Sequence, residues 1–589
     1  MGFPPRHGFD RLKMSFLCLF SLTATIHSLP VLANTSIEMA SSSCGTSNAS
    51  SLAMSETLDS PFLYDFPVLG QNPAELFPMP HCNGFTLEEA TIDQLQDAMG
   101  KGNLTSVHIA ICYLQRIWQT REYVNAILEL NPDFLNIASN LDTLRAAGTI
   151  LGPLHGIPFL IKDNIASKDK METTAVSWML LGSVVPRDAF VVSQLRKAGA
   201  VLMGKATLSE WADMRSSNYS EGYSARGGQA RSPYNLTVNP GGSSSGSAGA
   251  VAGNLVTFAL GTETDGSGIV IPESTHQDTL GTLARTVRDA VYALDAIYGI
   301  DPLNNSTLAQ EGKTPTGGYT QFLTNKDALK DATFGLPWQS FWALAPPEQQ
   351  ACLLAIISEI EEAGATIING TELRDYETIV SPDGWNWDYG MTRGYPNESE
   401  FTYVKVDFYN NIKAYLAELE NTDVRSLEDI VQYNNDNVGT EGGMPNIQPA
   451  FASGQDYFLA SLATQGIMDD TYYQALNFCQ TSTRENGIDY ALNHNGKQLS
   501  ALLVPPDVGQ TYQIAAQAGY PVITLPAGVN GTTSMPFGLA LMGTAWSEAE
   551  LVKWASAIED LGIQSHGRWG RTKPLWGGYR KRSIPVLNL

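Results

Sequence analysis

Short apolar runs stopped by turn residues set the tightest limit on what this chain can fold into. Phe159-Leu160-Ile161, Ala200-Val201-Leu202-Met203 and Val256-Thr257-Phe258-Ala259-Leu260 are too short for buried helices and carry no polar alternation, as expected of strands covered on both faces. Phe190 to Ala198 has helical spacing between the first two runs. Earlier, Ile92, Leu95 and Met99, then Val107, Ile111, Leu114 and Ile117, repeat at the same period around a break at Gly100 to Thr105. Strand and helix therefore alternate, and the chain is expected to be an α/β protein. The strand pattern returns at Leu502-Leu503-Val504-Pro505-Pro506 and Pro521-Val522-Ile523-Thr524-Leu525-Pro526, and Ser547 to Leu561 reads as a closing helix.

Three segments join this scaffold to residues of catalytic type. In Gly156-Ile157-Pro158-Phe159-Leu160-Ile161-Lys162-Asp163-Asn164 a lysine ends an apolar strand, where burial favours the neutral amine that a general base needs; a lysine snorkelling to solvent is the plainer alternative. In Gly241-Gly242-Ser243-Ser244-Ser245-Gly246-Ser247 a glycine-rich loop feeds a helix of small residues, so free N–H groups and hydroxyls gather there, although a linker would look alike. In Gly261-Thr262-Glu263-Thr264-Asp265-Gly266-Ser267 a serine leaves a buried strand through a tight turn, the arrangement that builds an oxyanion hole.

Together these segments resemble the amidase-signature family, whose motifs are a lysine in a GIP-apolar-KDN segment, a GGSS loop and a serine in a GT-acid-T-x-G-S turn. The likeness runs from about Phe85 to Leu561 and includes Arg285-Thr286-Val287-Arg288-Asp289-Ala290, Ala518-Gly519-Tyr520-Pro521 and Pro536-Phe537-Gly538-Leu539. It implies a mixed central β-sheet flanked by helices on both faces. It also implies hydrolysis of a carboxamide C–N bond by a Ser-Ser-Lys triad: Ser267 as nucleophile, Ser243 as relay in a cis peptide, Lys162 as base, and the backbone of Thr264, Asp265, Gly266 and Ser267 as oxyanion hole. Serine needs its proton removed before it attacks, and a neutral lysine acting through a second hydroxyl can do this without histidine. No cofactor or metal is implied, and the substrate is a small amide whose identity the sequence does not reveal.

The chain departs from the resemblance at one place. Members of the family continue after the nucleophile with a strand, a GLKPT-like turn and another strand; here Val270-Ile271-Pro272-Glu273-Ser274-Thr275-His276-Gln277-Asp278-Thr279 follows almost at once, so about two dozen residues, enough for two strands, are missing. The loss is expected to leave ladder groups unpaired beside the nucleophile strand and to weaken the Ser267 turn. Omitted coding sequence is the favoured explanation, because the pattern is intact on both sides; a genuine but impaired protein is the other. A Ser-His-acid esterase using Ser244 of Gly242-Ser243-Ser244-Ser245-Gly246, with His276, His494 or His566, is a rival that leaves Lys162 and Ser267 without a role. Gly199 to Lys205 nearly forms a phosphate loop, but Ala206 replaces the metal-binding hydroxyl. The histidines show no paired metal-ligand spacing, and His155 is expected to brace its turn.

Residues 1–33 read as a secretory signal: Arg6, Arg11 and Lys13 precede an apolar stretch from Phe16 to Ile26 and a small-residue site at Val31-Leu32-Ala33, and His27 and Pro30 break the run before it could span a bilayer. Residues 34–84 form a Ser/Thr-rich lead-in and N-terminal arm, 85–575 the amidase-signature domain, and 576–589 a tail in which Arg580, Lys581 and Arg582 read as solvated. Sequons at Asn103, Asn218, Asn235, Asn369 and Asn397 suit a secreted glycoprotein with no membrane span once mature. Beyond Cys18, which leaves with the signal, Cys44, Cys82, Cys112, Cys352 and Cys479 remain, and a Cys44–Cys82 bridge is one pairing the sequence allows. A net charge of −24 argues against nucleic-acid partners. The aromatic stretch holding Trp385, Trp387, Tyr389, Tyr395, Phe401, Tyr403 and Phe408 reads as core and loop packing, with cleft walls as the alternative.

Overall fold

The computed structural model describes residues 77–263, 270–380, 388–508, 511–567, 571–578 and 585–586. Two five-stranded mixed sheets organise them. The first contains β1 (Ile127–Leu130), β2 (Pro158–Lys162), β3 (Val201–Ala206), β4 (Phe258–Glu263) and β5 (Thr279–Leu283) in the order β1-β3-β2-β4-β5. Its three inner strands are parallel and its two edges antiparallel. The second contains β6 (Thr333–Leu336), β7 (Thr366–Asn369), β8 (Ala501–Val504), β9 (Val522–Val529) and β10 (Pro536–Met542) in the order β9-β10-β8-β6-β7.

The inner strands of the first sheet are the apolar runs of the sequence. Phe159, Leu160 and Ile161 of β2 and Val201, Leu202 and Met203 of β3 are fully buried, and Phe159 stacks on Phe258 of β4 with ring centroids 5.4 Å apart. Helices α1 (Ile92–Gly100), α2 (Ser106–Val124), α3 (Phe134–Ala146), α4 (Phe190–Lys197) and α5 (Ser245–Ala252) belong to the same half of the chain. Helices α6 (Val287–Ile297), α7 (Pro347–Glu362), α8 (Glu400–Glu418), α9 (Asp470–Thr483), α10 (Thr511–Ala518) and α11 (Glu548–His566) follow. α8 and α9 send Val404, Phe408 and Ala475 into the core of the first sheet, whereas Leu551, Trp554 and Ile558 of α11 pack with Phe334, Leu503 and Leu541 in a second core. Among the described residues no helix is long and apolar enough to cross a membrane.

Helix ends follow local chemistry. Thr91 and Gln94 form a reciprocal capping box on α1, Thr105 caps α2, and Asp142 of α3 accepts from the free N–H groups of Ser106 and Val107 at 2.7 and 3.0 Å. The packed stripe of α2 differs from the expected one: Ile109, Tyr113 and Ile117 are buried while Ile111 is 38% exposed. The apolar surface of this helix is wider than the face its neighbours cover, so spacing alone does not fix the phase.

Three further differences bear on the chain's organisation. Phe77 and Trp576 are both buried, with ring centroids 4.7 Å apart, so the packed region extends past the expected bounds of 85 and 575 at both ends. Cys82 is bonded to Cys112 of α2 across a Cα separation of 5.8 Å, which replaces the Cys44–Cys82 pairing; Cys352 is also disulfide-bonded, and Cys479 is a buried free thiol. Strand β4 is not left open: β5 pairs with it antiparallel from Ala259↔Leu283 to Glu263↔Thr279. In the aromatic stretch Tyr389, Phe401, Tyr403 and Phe408 are core, Tyr395 is exposed, and Trp385 and Trp387 lie outside the described residues, as do Arg580, Lys581 and Arg582.

Candidate active site

Lys162 ends β2 and is completely buried. Its Nζ donates to Ser243 Oγ at 2.7 Å, to Thr262 Oγ1 at 2.6 Å and, more weakly, to the Thr262 carbonyl at 3.4 Å. Asn164 Nδ2 donates to the same Thr262 hydroxyl at 3.1 Å. The amine is thus caught between the ends of two parallel strands and the loop that precedes α5. Such a site meets the first requirement of a lysine base acting through a hydroxyl: the two heavy atoms are within proton-transfer distance.

The loop is held from several sides. The Gly242–Ser243 peptide is cis, as the resemblance implies, and the Ser243 carbonyl accepts from the Ser209 N–H at 3.0 Å. Ser244 Oγ accepts from the Thr262 N–H at 3.2 Å and donates to the Thr262 carbonyl at 3.1 Å, which ties the loop to β4. Ser245 Oγ closes it onto the Gly241 carbonyl at 2.6 Å, and Ser247 Oγ reaches the Leu260 carbonyl at 2.9 Å. Gly246 can be nothing larger, since a Cβ there would stand 2.5 Å from the carbonyl oxygens of Ala126 and Thr207. Ser243 itself is only half-buried.

Of the residues singled out in the sequence, Lys162 and Ser243 are brought together. Ser267, with Thr264, Asp265 and Gly266, lies outside the described residues. Thr262 was hidden within its motif: its hydroxyl sits two residues before the turn, and only the pairing of β4 beside β2 reveals that it faces the amine.

The rival dyads are not assembled. Ser244 is committed to the backbone of β4. His276 lies against Tyr472 at 3.1 Å and His566 against Glu359 at 2.9 Å, while His494 pairs through its backbone with Lys497 in a short hairpin. Lys205 is a buried residue within β3 whose Nζ donates to the Ile165 carbonyl at 2.6 Å and to Thr173 Oγ1 at 2.8 Å, so it has no part in a phosphate loop. His155 braces its turn as expected, with Nε2 3.0 Å from the Leu141 carbonyl and Nδ1 accepting from the Leu151 N–H at 3.3 Å.

Comparison with known proteins places this geometry in context. A family profile described as Amidase matches residues 109–276 and 267–387. An inferred amidase of Schizosaccharomyces pombe is 52% identical over 605 aligned positions, which take in 98% of this chain and all of the relative. A glutamyl-tRNA(Gln) amidotransferase component of Moorella thermoacetica is 28% identical over 509 positions, covering 80% of this chain and 96% of the relative. Among solved structures, the native peptide amidase of Stenotrophomonas maltophilia superposes with a TM-score of 0.71 at 33% identity, over 84% of this chain and 99% of that one.

Proposed function

The chain belongs to the amidase family and is a hydrolase of amides, and from that premise we propose that it cleaves a carboxamide C–N bond through Ser267, Ser243 and Lys162 by way of an acyl-enzyme. The Ser267 hydroxyl attacks the substrate carbonyl while its proton passes to Ser243, whose own proton passes to the Lys162 amine. Main-chain N–H groups of Thr264 to Ser267 hold the oxyanion. Collapse breaks the C–N bond as the relay runs backwards to protonate the leaving amine, and water then hydrolyses the ester by the same path. The observation that carries this reading is the 2.7 Å contact between a fully buried lysine amine and Ser243 Oγ.

Linear carboxamides, with peptide amides first among them, are the substrate class to test, in view of the peptide amidase structure; esters follow as secondary substrates because the acyl-enzyme is shared. A role on tRNA, which the name of the Moorella relative suggests for that protein, fits poorly with a net charge of −24. The decisive measurement is hydrolysis of an amide panel by wild type and Lys162→Ala, with fluorophosphonate labelling mapped by mass spectrometry. Label on Ser267 that depends on Lys162 is expected; label on Ser244, or turnover indifferent to Lys162, would overturn the triad.

The same reading places the protein in the secretory pathway, with residues 1–33 removed and glycans on exposed sequons. The Cys82–Cys112 bond supports it, since disulfides persist in oxidising compartments, as does the exposure of Asn103, Asn218, Asn369 and Asn397. Asn235 is the exception, for its Nδ2 is spent on the Thr533 carbonyl at 2.9 Å. Peptide mapping of protein from the medium should find an N-terminus at Asn34 and an unmodified Asn235.

At the junction after Ser267 the reading is omitted coding sequence. The two family matches both claim residues 267–276, as a collapsed segment would make them do, and the 605 positions aligned with the yeast relative exceed the 589 residues of this chain. Sequencing the transcript across Ser267–Gly268 should recover the missing codons. An unchanged junction in abundant message would leave the impaired-enzyme alternative in their place.

A further inference from the structure

Beyond the proposed triad, a carboxylate with no assigned part in the chemistry packs against the Ser243 loop. Glu221 Oε2 accepts from Ser209 Oγ at 3.0 Å, and Oε1 accepts from the Tyr219 hydroxyl at 3.2 Å. Ser209 is the residue whose N–H donates to the Ser243 carbonyl, and its Oγ accepts from the Gly222 N–H at 2.9 Å. The carboxylate is packed so closely on the loop that a Cβ at Gly242 would stand 1.8 Å from Glu221 Oε2 and 2.5 Å from Ser209 Oγ. Glycine at 242 leaves the space this carboxylate fills.

We propose that Glu221 is a positioning residue for the Lys162–Ser243 pair, holding the Ser243 peptide through Ser209. The inference rests on the Ser-Ser-Lys reading. Glu221 interacts electrostatically with Lys162 on β2, with Asp213 and Tyr219, and with Tyr512 of α10; Lys162 in turn faces Asp213, Glu221 and Glu263. Burial pushes the Glu221 carboxyl up, against the pull of Ser209, Tyr219 and Lys162, and burial together with the Glu221 charge pushes Asp213 well up.

Glu221→Gln keeps the shape and an acceptor for Ser209 but removes the charge, whereas Glu221→Ala removes both. In Glu221→Gln, which keeps an acceptor for Ser209, kcat should stay within about threefold of wild type. Glu221→Ala should lower kcat about tenfold or more while KM changes less than about twofold. A brace of purely structural character would lower thermal stability and leave kcat per folded molecule at the wild-type value. Wild-type kcat per folded molecule in Glu221→Ala, or equal losses in Glu221→Gln and Glu221→Ala, overturns the inference. Turnover indifferent to Lys162 sinks the triad reading and this inference with it, whereas Lys162-dependent turnover with wild-type kcat in Glu221→Ala sinks this inference alone.

Discussion

Two buried lysines stand side by side in the first sheet and face different company. Lys162 ends β2, and Lys205 lies one position earlier on the neighbouring parallel strand, opposite Ile161. Because side chains alternate along a strand, that single offset sends Lys205 to the face of Ile161 and Asp163 and Lys162 to the other. Lys205 meets a carbonyl and a hydroxyl within reach of the Asp163 charge; burial pulls its ammonium down to about 8, although Asp163, Asp169 and Glu129 all favour the charged form. Asp163, fully buried, accepts from Thr174 Oγ1 and from the N–H groups of Thr174 and Val176. Lys162 has among its partners two hydroxyls, one of which belongs to the half-buried loop that precedes α5. What would separate a structural cation from the proposed catalytic amine is therefore the company each face supplies, since burial is the same for both.

The comparison breaks most sharply in activity. Lys162→Ala should cut kcat/KM per folded molecule by a factor on the order of 10³ to 10⁴, because a residue acting as part of a proton-transfer unit takes the unit with it. Equal activity in that variant would make the two lysines equivalent and end the distinction. Stability is the mirror image. Lys205→Ala should destabilise by about 2–5 kcal/mol, because it empties a buried site, frees the Ile165 carbonyl and the Thr173 hydroxyl, and leaves Asp163 facing one cation fewer, with Arg226 still 4.0 Å away; the double change Lys205→Met with Asp163→Asn should recover much of the loss. Urea unfolding of the single and double variants checks this, with kcat per folded molecule held as the control.

A smaller effect sharpens the Lys162 side. Thr262→Val keeps the shape of the side chain but removes the hydroxyl that takes hydrogen bonds from both Lys162 and Asn164, so kcat should fall by about tenfold through a less well-aimed amine. That residue marks the boundary of what could be read from sequence. Lys162 was legible because an apolar run with a polar end has few other meanings, and Ser243 because its glycine-rich loop matched a known motif. Lys205 lay in an equally apolar run, yet its character depends on Asp163 and Thr173, which only the turn after β2 brings to it. The Cys82–Cys112 bond and the β5 edge were out of reach for the same reason: each is a choice among partners that are equivalent in sequence and are separated only by where the chain returns. Glu221 carried no signal at all, since its contact with the Ser243 loop exists only after Ser209 and Gly242 have been folded against each other.

The remaining expected effect concerns pH and the Lys205 side alone. In the unfolded chain this lysine titrates at its ordinary value of 10.5, whereas in the fold burial brings it to about 8. Below the lower value both states hold the proton, and the fold bears the whole cost of the desolvated ammonium. Between the two values the folded state has released its proton and the unfolded state has not, so the unfolded state binds more protons and stability rises with pH. The contribution is complete above the upper value. Urea midpoints measured from pH 7.5 to 10.5 should therefore climb more steeply, or fall less, in wild type than in Lys205→Met, and the difference between the two curves should carry that sign across the whole window. A difference of the opposite sign would mean that the Asp163 charge outweighs burial at Lys205, and that this face of the sheet holds a true ion pair where the other holds a base.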